Sequence, residues 1–366
     1  MKIALLVPAM DTGGVEQGTY DLAAGFVRRG HQALVISGPG RFLPRLEAAG
    51  VRHYLVPMER KNPVEFTAAL RRVSKILRSE RPDIIHARSR LPAWIAYLAG
   101  GRRPPAGHFV TSIHGFHHTR WYSRIMGRGE RVIVVSQGLK KYTAEFLGAD
   151  PQLIRVVYNG FDPEPFLKIN PVPAGEKTEK NSFVIGAVGR LTEVKGYRYI
   201  IEAVALLKKP CPGLSATIIG EGPEGGRLRE LARRLGVADR VKFAAGQPAE
   251  HLASFQALAA PHLEPEGRPV DGPYWPGRAA AEAQVAGRPV LTTLRELAPG
   301  QFEVGDACLF AAAGEATGLA RGIEYLYRHP EEAAALAERG RRTALEHFSL
   351  EAMVEKTLAV YRELTA

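Results

Sequence analysis

The chain alternates short apolar strands with amphipathic helices, breaks at a proline- and charge-rich segment, and then begins the same alternation again. Strands separated by helices cannot pair as hairpins; they need crossover connections, which build parallel sheets. The first series runs from a strand at Lys2–Pro8 through a turn at Thr12-Gly13-Gly14 into a helix at Val15–Arg29 with Gly30 as its stop. Strands at His31–Ser37, Val51–Val56, Asp83–Ala87, Phe109–Ile113 and Arg131–Val135 follow, with helices at Pro63–Arg78 and Pro92–Gly100. The break spans Phe161–Asn181. The second series predicts strands at Phe183–Val188, Ser215–Ile219, Arg240–Ala244 and Pro289–Thr292. Its helices fall near Tyr197–Leu207, Leu228–Leu235 and Ala279–Ala286, with further helices to the end. The expectation is an α/β protein of two doubly wound, Rossmann-like domains, residues 1–168 and 182–346. Ligands of such sheets bind beyond the carboxyl ends of the strands, so two halves are expected to face each other across a cleft.

Composition narrows the class. A length of 366 residues suits two domains, and average apolar content with 24% charged residues excludes a disordered chain. No apolar run reaches the ~18–20 residues of a membrane span. Met1–Gly14 reads as a buried strand rather than a signal peptide. Cys211 and Cys308 stand alone, which excludes a disulfide framework or a cysteine-rich zinc site and favours a reducing compartment. The net charge of +11 is unevenly placed: residues 1–150 carry 23 basic against 11 acidic residues, whereas the remainder is nearly neutral. That asymmetry suggests two halves with two kinds of partner.

Four segments have the chemistry to hold a ligand. Gly13-Gly14-Val15-Glu16 follows the first strand and opens a helix, where free N–H groups meet an anion and glycine admits close approach. It is not a dinucleotide fingerprint, and a plain tight turn is the other reading. GAVGRLTEVKGY, Gly186–Tyr197, places Arg190 and Lys195 in a loop after a strand, an arrangement suited to a diphosphate, or else two solvated surface cations. IIGEGPEGGRL, Ile218–Leu228, is a strand running into a turn at Gly222 whose open backbone suits a base or ribose, or merely a connection. GRAAAEAQVAGRPVL, Gly277–Leu291, carries Glu282 within an alanine-rich helix, where a carboxylate can accept both ribose hydroxyls or simply face solvent.

In this order, these motifs resemble those of the retaining glycosyltransferases of family 4, which have the two-domain GT-B fold. IHGFHH at Ile113–His118, VIVVSQGLKKY at Val132–Tyr142 and VVYNGFD at Val156–Asp162 extend the likeness over nearly the whole chain. HARSRLPAWIAYLA, His86–Ala99, resembles a subgroup acting on lipopolysaccharide core or other cell-envelope glycans. The resemblance implies that residues 182–346 bind the nucleotide sugar and that residues 1–168 serve the acceptor, with a final helix, 347–366, packing back on the latter. Gly14 would let the backbone approach the donor. Arg190 and Lys195 would bind the diphosphate and stabilise the leaving group, Glu282 would hold the ribose, and His114 would face the transferred sugar. Gly222, Gly277 and Arg278 complete the donor set. Without the family, His114 would read as a satisfied core histidine.

One position departs from the family pattern. A Glu is expected eight residues before Glu282, and Tyr274 stands there instead. The proline-rich loop before it offers Glu264, Glu266 and Asp271 as replacements, Glu264 and Asp271 first among them; the other readings are a donor sugar held differently or a loss of activity. No D-x-D pair occurs, and the resemblance implies no metal and no cofactor beyond the donor, with the diphosphate charge met by Arg190, Lys195 and helix N-termini. The family reaction proceeds by front-face attack, the departing phosphate acting as base. In the basic half, Arg88, Arg90, Arg120 and Arg124, with Trp121, Tyr122, Ile125 and Met126 interleaved, are expected to face an anionic acceptor, glycan or glycolipid, or an anionic membrane. A cytoplasmic protein peripheral to the inner membrane face is therefore expected, and no nucleic-acid partner. Rival readings are a nucleotide-sugar epimerase or phosphorylase of the same fold, an inactive relative, and a polyanion-binding protein.

Overall fold

A computed structural model describes the chain except residues 12, 60–61, 101–106, 117–118, 170–181, 246–250, 262–276, 295–296 and 366. The chain divides into two compact units. One gathers Met1–Phe161 with the segment from Leu350 onward, and the other lies within Asp162–Ser349.

The first unit is built on seven parallel strands: β1 Lys2–Leu6, β2 Gln32–Ser37, β3 Arg52–Leu55, β4 Ile84–Ala87, β5 His108–Ile113, β6 Arg131–Val134 and β7 Ile154–Val156. Their order is β3-β2-β1-β4-β5-β6-β7. Strand side chains alternate in direction, so Ile3 and Leu5 enter one core while Ala4 and Leu6 enter the other. This is why the strands read as nearly continuous apolar runs: both faces are covered by helices. The helix Pro63–Glu80 is capped by the Asn62 side chain, which accepts from the Val64 N–H, and it covers the second core.

The final helix, Leu350–Thr365, lies in this first unit although it follows the whole second unit in sequence. Tyr361 packs against Phe26 and its hydroxyl bonds His86 Nδ1 at 2.6 Å. Glu363 receives hydrogen bonds from Arg131 on β6 and Arg155 on β7, each at 2.7 Å.

The second unit repeats the plan with β8 Phe183–Val188, β9 Leu214–Ile219, β10 Val241–Ala244, β11 Ala257–Ala260, β12 Val290–Leu294, β13 Phe302–Val304 and β14 Leu309–Ala312. The order is β10-β9-β8-β11-β12-β14-β13, with β13 alone antiparallel to its neighbour. The sequence pattern predicted only helices after Thr292, and β13 and β14 correct that expectation. Each is three or four residues long, too short for a period of two to register. Helices Ala316–Arg328 and Pro330–Phe348 follow them.

In both sheets the chain reverses direction at one place, between β1 and β4 and between β8 and β11. The crevice at the carboxyl ends of such a strand pair is where open α/β sheets take their ligands.

Candidate active site

In the second unit, the loop after β8 and the turn after β9 are joined by their backbones. Leu191 N–H donates to Glu221 O at 2.9 Å, and Glu224 N–H donates to Leu191 O at 3.1 Å. Glycine makes that approach possible. A Cβ on Gly222 would stand 2.4 Å from Leu191 O, and one on Gly220 would stand 2.0 Å from Gly189 O. Two motifs that are separate in sequence thus form one edge at the carboxyl ends of β8 and β9.

Arg190 lies exposed on this edge, and Lys195 closes the short 3₁₀ turn Glu193–Lys195 just before the helix Tyr197–Leu206. Among the described residues neither cation has an ion-pair partner. Burial without a counter-charge holds the Lys195 ammonium below the usual lysine range. Two uncompensated cations beside a helix N-terminus have the charge and donors to meet a diphosphate.

Glu282 sits in the helix Arg278–Val285, with Gly277 in a positive-φ conformation (86°) at its N-cap. The residue is only 5% exposed, and Arg278 Nε donates to its Oε1 at 2.7 Å. Burial raises the Glu282 carboxyl above the ordinary glutamate range, and Arg278 opposes that rise. A cation at the helix start with its acid four residues later is the poorer order for helix stability. Helix propensity therefore does not account for the pair. Its position is fixed from behind. Gln284 donates to Ala307 O at 2.6 Å, and the buried Arg288 donates to Leu252 O and Ala253 O. The sequence reading passed over Arg288, whose carbonyl partners lie some thirty-five residues upstream. Tyr274, Glu264 and Asp271 fall outside the described residues.

In the first unit, Gly14 opens the helix Gly14–Arg28, and a Cβ there would meet no protein atom within 4 Å. His114 follows β5, is half-buried, and places Nε2 2.8 Å from Ser112 Oγ. The basic face divides in two. Arg120 and Arg124 are exposed, Arg90 stacks over Tyr122, and Trp121 is 76% exposed. With Trp94, Tyr97, Leu98, Ile125 and Arg128, Trp121 and Arg124 line a hollow of about 420 Å³. Arg88 departs from this face: it is 4% exposed and belongs to the interior. Ile125 and Met126 likewise turn into the core, because the backbone between Arg120 and Gly127 coils helically and turns them inward.

Among the described residues no group of three or more His, Cys, Asp or Glu side chains is placed to hold a metal ion. No described helix is long and apolar enough to cross a membrane.

Comparison with known proteins agrees with this architecture. A family model for Glycosyltransferase Family 4 matches residues 12–165, and one for Glycosyl transferases group 1 matches residues 172–343. The lipopolysaccharide core biosynthesis glycosyltransferase LpsE of Rhizobium meliloti is 28% identical over 353 residues, 94% of this chain and 95% of the relative. A solved glycosyltransferase of Rickettsia africae superposes with a TM-score of 0.81 at 24% identity, covering 100% of this chain and 98% of that one. HepE of Anabaena, solved in complex with UDP, superposes with a TM-score of 0.79 at 23% identity over 99% of this chain and 100% of its own. The two structural likenesses speak for the GT-B fold. The two family models, which between them span both units, establish that the chain belongs to glycosyltransferase family 4, the retaining transferases that use a nucleotide sugar.

Proposed function

We propose that the protein transfers a sugar from a nucleoside-diphosphate sugar to an anionic cell-envelope glycan or glycolipid. The observation that carries the donor half is the joined pair of loops presenting Arg190 and Lys195 without counter-charges, with Glu282 held buried in the same unit. Arg190 and Lys195 neutralise the diphosphate as the anomeric bond breaks, and Glu282 accepts from the ribose hydroxyls. Gly14, where the protein leaves room for a side chain, admits the donor to the backbone, and His114 faces the transferred sugar. Catalysis is then positioning and electrostatic stabilisation, the leaving phosphate taking the acceptor proton. The likeness to LpsE supports an envelope acceptor.

The experiment is a thermal-shift series with UDP, GDP and ADP, followed by product analysis with the stabilising nucleotide's sugars. One nucleotide should raise the melting temperature, and sugar should appear on an added acceptor with its anomeric configuration retained. Conversion of donor without acceptor would instead indicate an epimerase. The Trp121–Arg124 face supports peripheral seating on an anionic membrane at the cytoplasmic side, because an exposed indole beside guanidinium groups suits a headgroup layer. Absence of co-sedimentation with anionic vesicles at low salt would remove that part.

A further inference from the structure

Arg88 follows β4 directly, at the point where the first sheet reverses between β1 and β4. Its backbone N–H bonds Leu6 O, the last residue of β1, at 2.9 Å. Its side chain runs beneath the first turns of the helix Gly14–Arg28. Nε donates to Thr19 Oγ1 at 2.8 Å, and a Cβ on Gly18 would stand 3.2 Å from the Nη2 atom. That is its whole complement of bonds: among the described residues, neither Nη atom donates a hydrogen bond and no carboxylate pairs with the guanidinium. Glu16 and Asp21 on the same helix face it from a distance, as does the Tyr361 hydroxyl, which is engaged by His86. His86 and His114 complete the surroundings, and His86 is held neutral by burial and by the nearby Arg88 charge.

A buried charge is ordinarily paired, because leaving water without a counter-ion is strongly unfavourable. Burial lowers the Arg88 pKa only to about 10, so the group stays cationic at neutral pH. A buried cation that carries this cost, with neither Nη atom hydrogen-bonded, at the end of β4 where the strand order reverses, has the donors of a half-built anion site. We propose that Arg88 binds a phosphate or carboxylate group of the acceptor sugar, making the first unit selective for an anionic acceptor. The inference rests on the transferase reading for the identity of the ligand as acceptor, and on Arg88 alone for its charge. It also gives Arg88 a more specific part than a place on a basic face.

The test uses the intact protein and three probes at constant ionic strength: inorganic phosphate, glucuronate and UDP. Phosphate or glucuronate should raise the wild-type melting temperature, and whichever acts identifies the anion. In Arg88→Met the apparent Kd for that anion should rise at least ~10-fold, and Arg88→Lys should keep part of the response. Without anion, Arg88→Met should melt at or above wild type, since an apolar side chain of similar length removes an unpaired buried charge. The UDP response should persist in both variants. The proposal is overturned if phosphate and glucuronate leave the wild type unmoved, or act equally on Arg88→Met. It is equally overturned if both variants melt well below wild type, which would make Arg88 a structural clamp on Thr19. A wild type that ignores UDP yet answers to phosphate through Arg88 would sink the donor reading and leave this one standing.

Discussion

The Arg278–Glu282 pair separates binding from stability when its two members are removed one at a time. Glu282→Gln keeps shape and an acceptor for Arg278 while deleting a buried charge. Arg278 is more than half exposed and can turn to water, so this variant should fold at least as stably as wild type. Nucleotide binding should suffer, because hydrogen bonds to a charged acceptor contribute about 1.5–3 kcal/mol, or roughly 10- to 100-fold in Kd. Arg278→Met does the reverse and strands the carboxylate. Breaking a fully buried pair costs about 3–5 kcal/mol, and the exposed partner reduces this to about 1–2 kcal/mol. The pH dependence has a definite sign. The folded Glu282 pKa lies above its ordinary value of 4.5, so the stability associated with its neutral form is complete below that value and is lost as pH rises through the folded pKa. The stability advantage of Glu282→Gln over wild type should therefore grow with pH across that window and then level off. In Arg278→Met the window should extend further upward. Calorimetric titration with the nucleotide and melts from pH 4 upward supply both readings. An unchanged nucleotide Kd in Glu282→Gln would refute the ribose assignment. A pH-independent difference between the two proteins would refute the buried-charge account.

Lys195→Ala and Arg190→Ala should each lower transfer by at least ~10²-fold with the fold retained, measured as turnover beside a circular dichroism melt; undiminished turnover removes the diphosphate role. Gly222→Ala should weaken stability and nucleotide affinity together, since its methyl group would press on Leu191 O and part the two loops; a wild-type melt and affinity would show that the loops tolerate separation. Glu80, bonded by Lys2, Arg52 and Tyr54, has its pKa held down at about 2. Its stabilisation is present above the ordinary value of 4.5 and lost as pH falls toward 2. Glu80→Gln should cost about 1–2 kcal/mol at neutral pH and nothing near pH 2, by denaturant melts at the two pH values.

Much of the fold was legible because both sheets bury both faces, and unbroken apolar runs ending in glycine turns are the local mark of such strands. What stayed hidden was short or non-local. Ala257–Ala260 reads ALAA, without a β-branched residue, yet it is a central strand because β8 and β12 flank it. The joining of the loops after β8 and β9 is a pairing of backbone atoms that no side-chain pattern announces. Arg88 was misplaced for a related reason. In HARSR it stands among polar residues, and only the parallel register of β4 beside β1 carries it indoors.

The final helix has a consequence for how the protein is made. Val354 fills the space against Gly25, and Tyr361 closes over Phe26 and His86, so the first unit's core contains residues synthesised after the whole second unit. During translation the second unit can complete itself while the first still lacks a wall. The earlier-made half must wait, with part of its apolar surface uncovered, until the later-made half has left the ribosome. The order of synthesis and the order of completion are thus opposed. A chain stopped just before Leu350 would keep a finished second unit attached to a first unit exposed to chaperones and proteases.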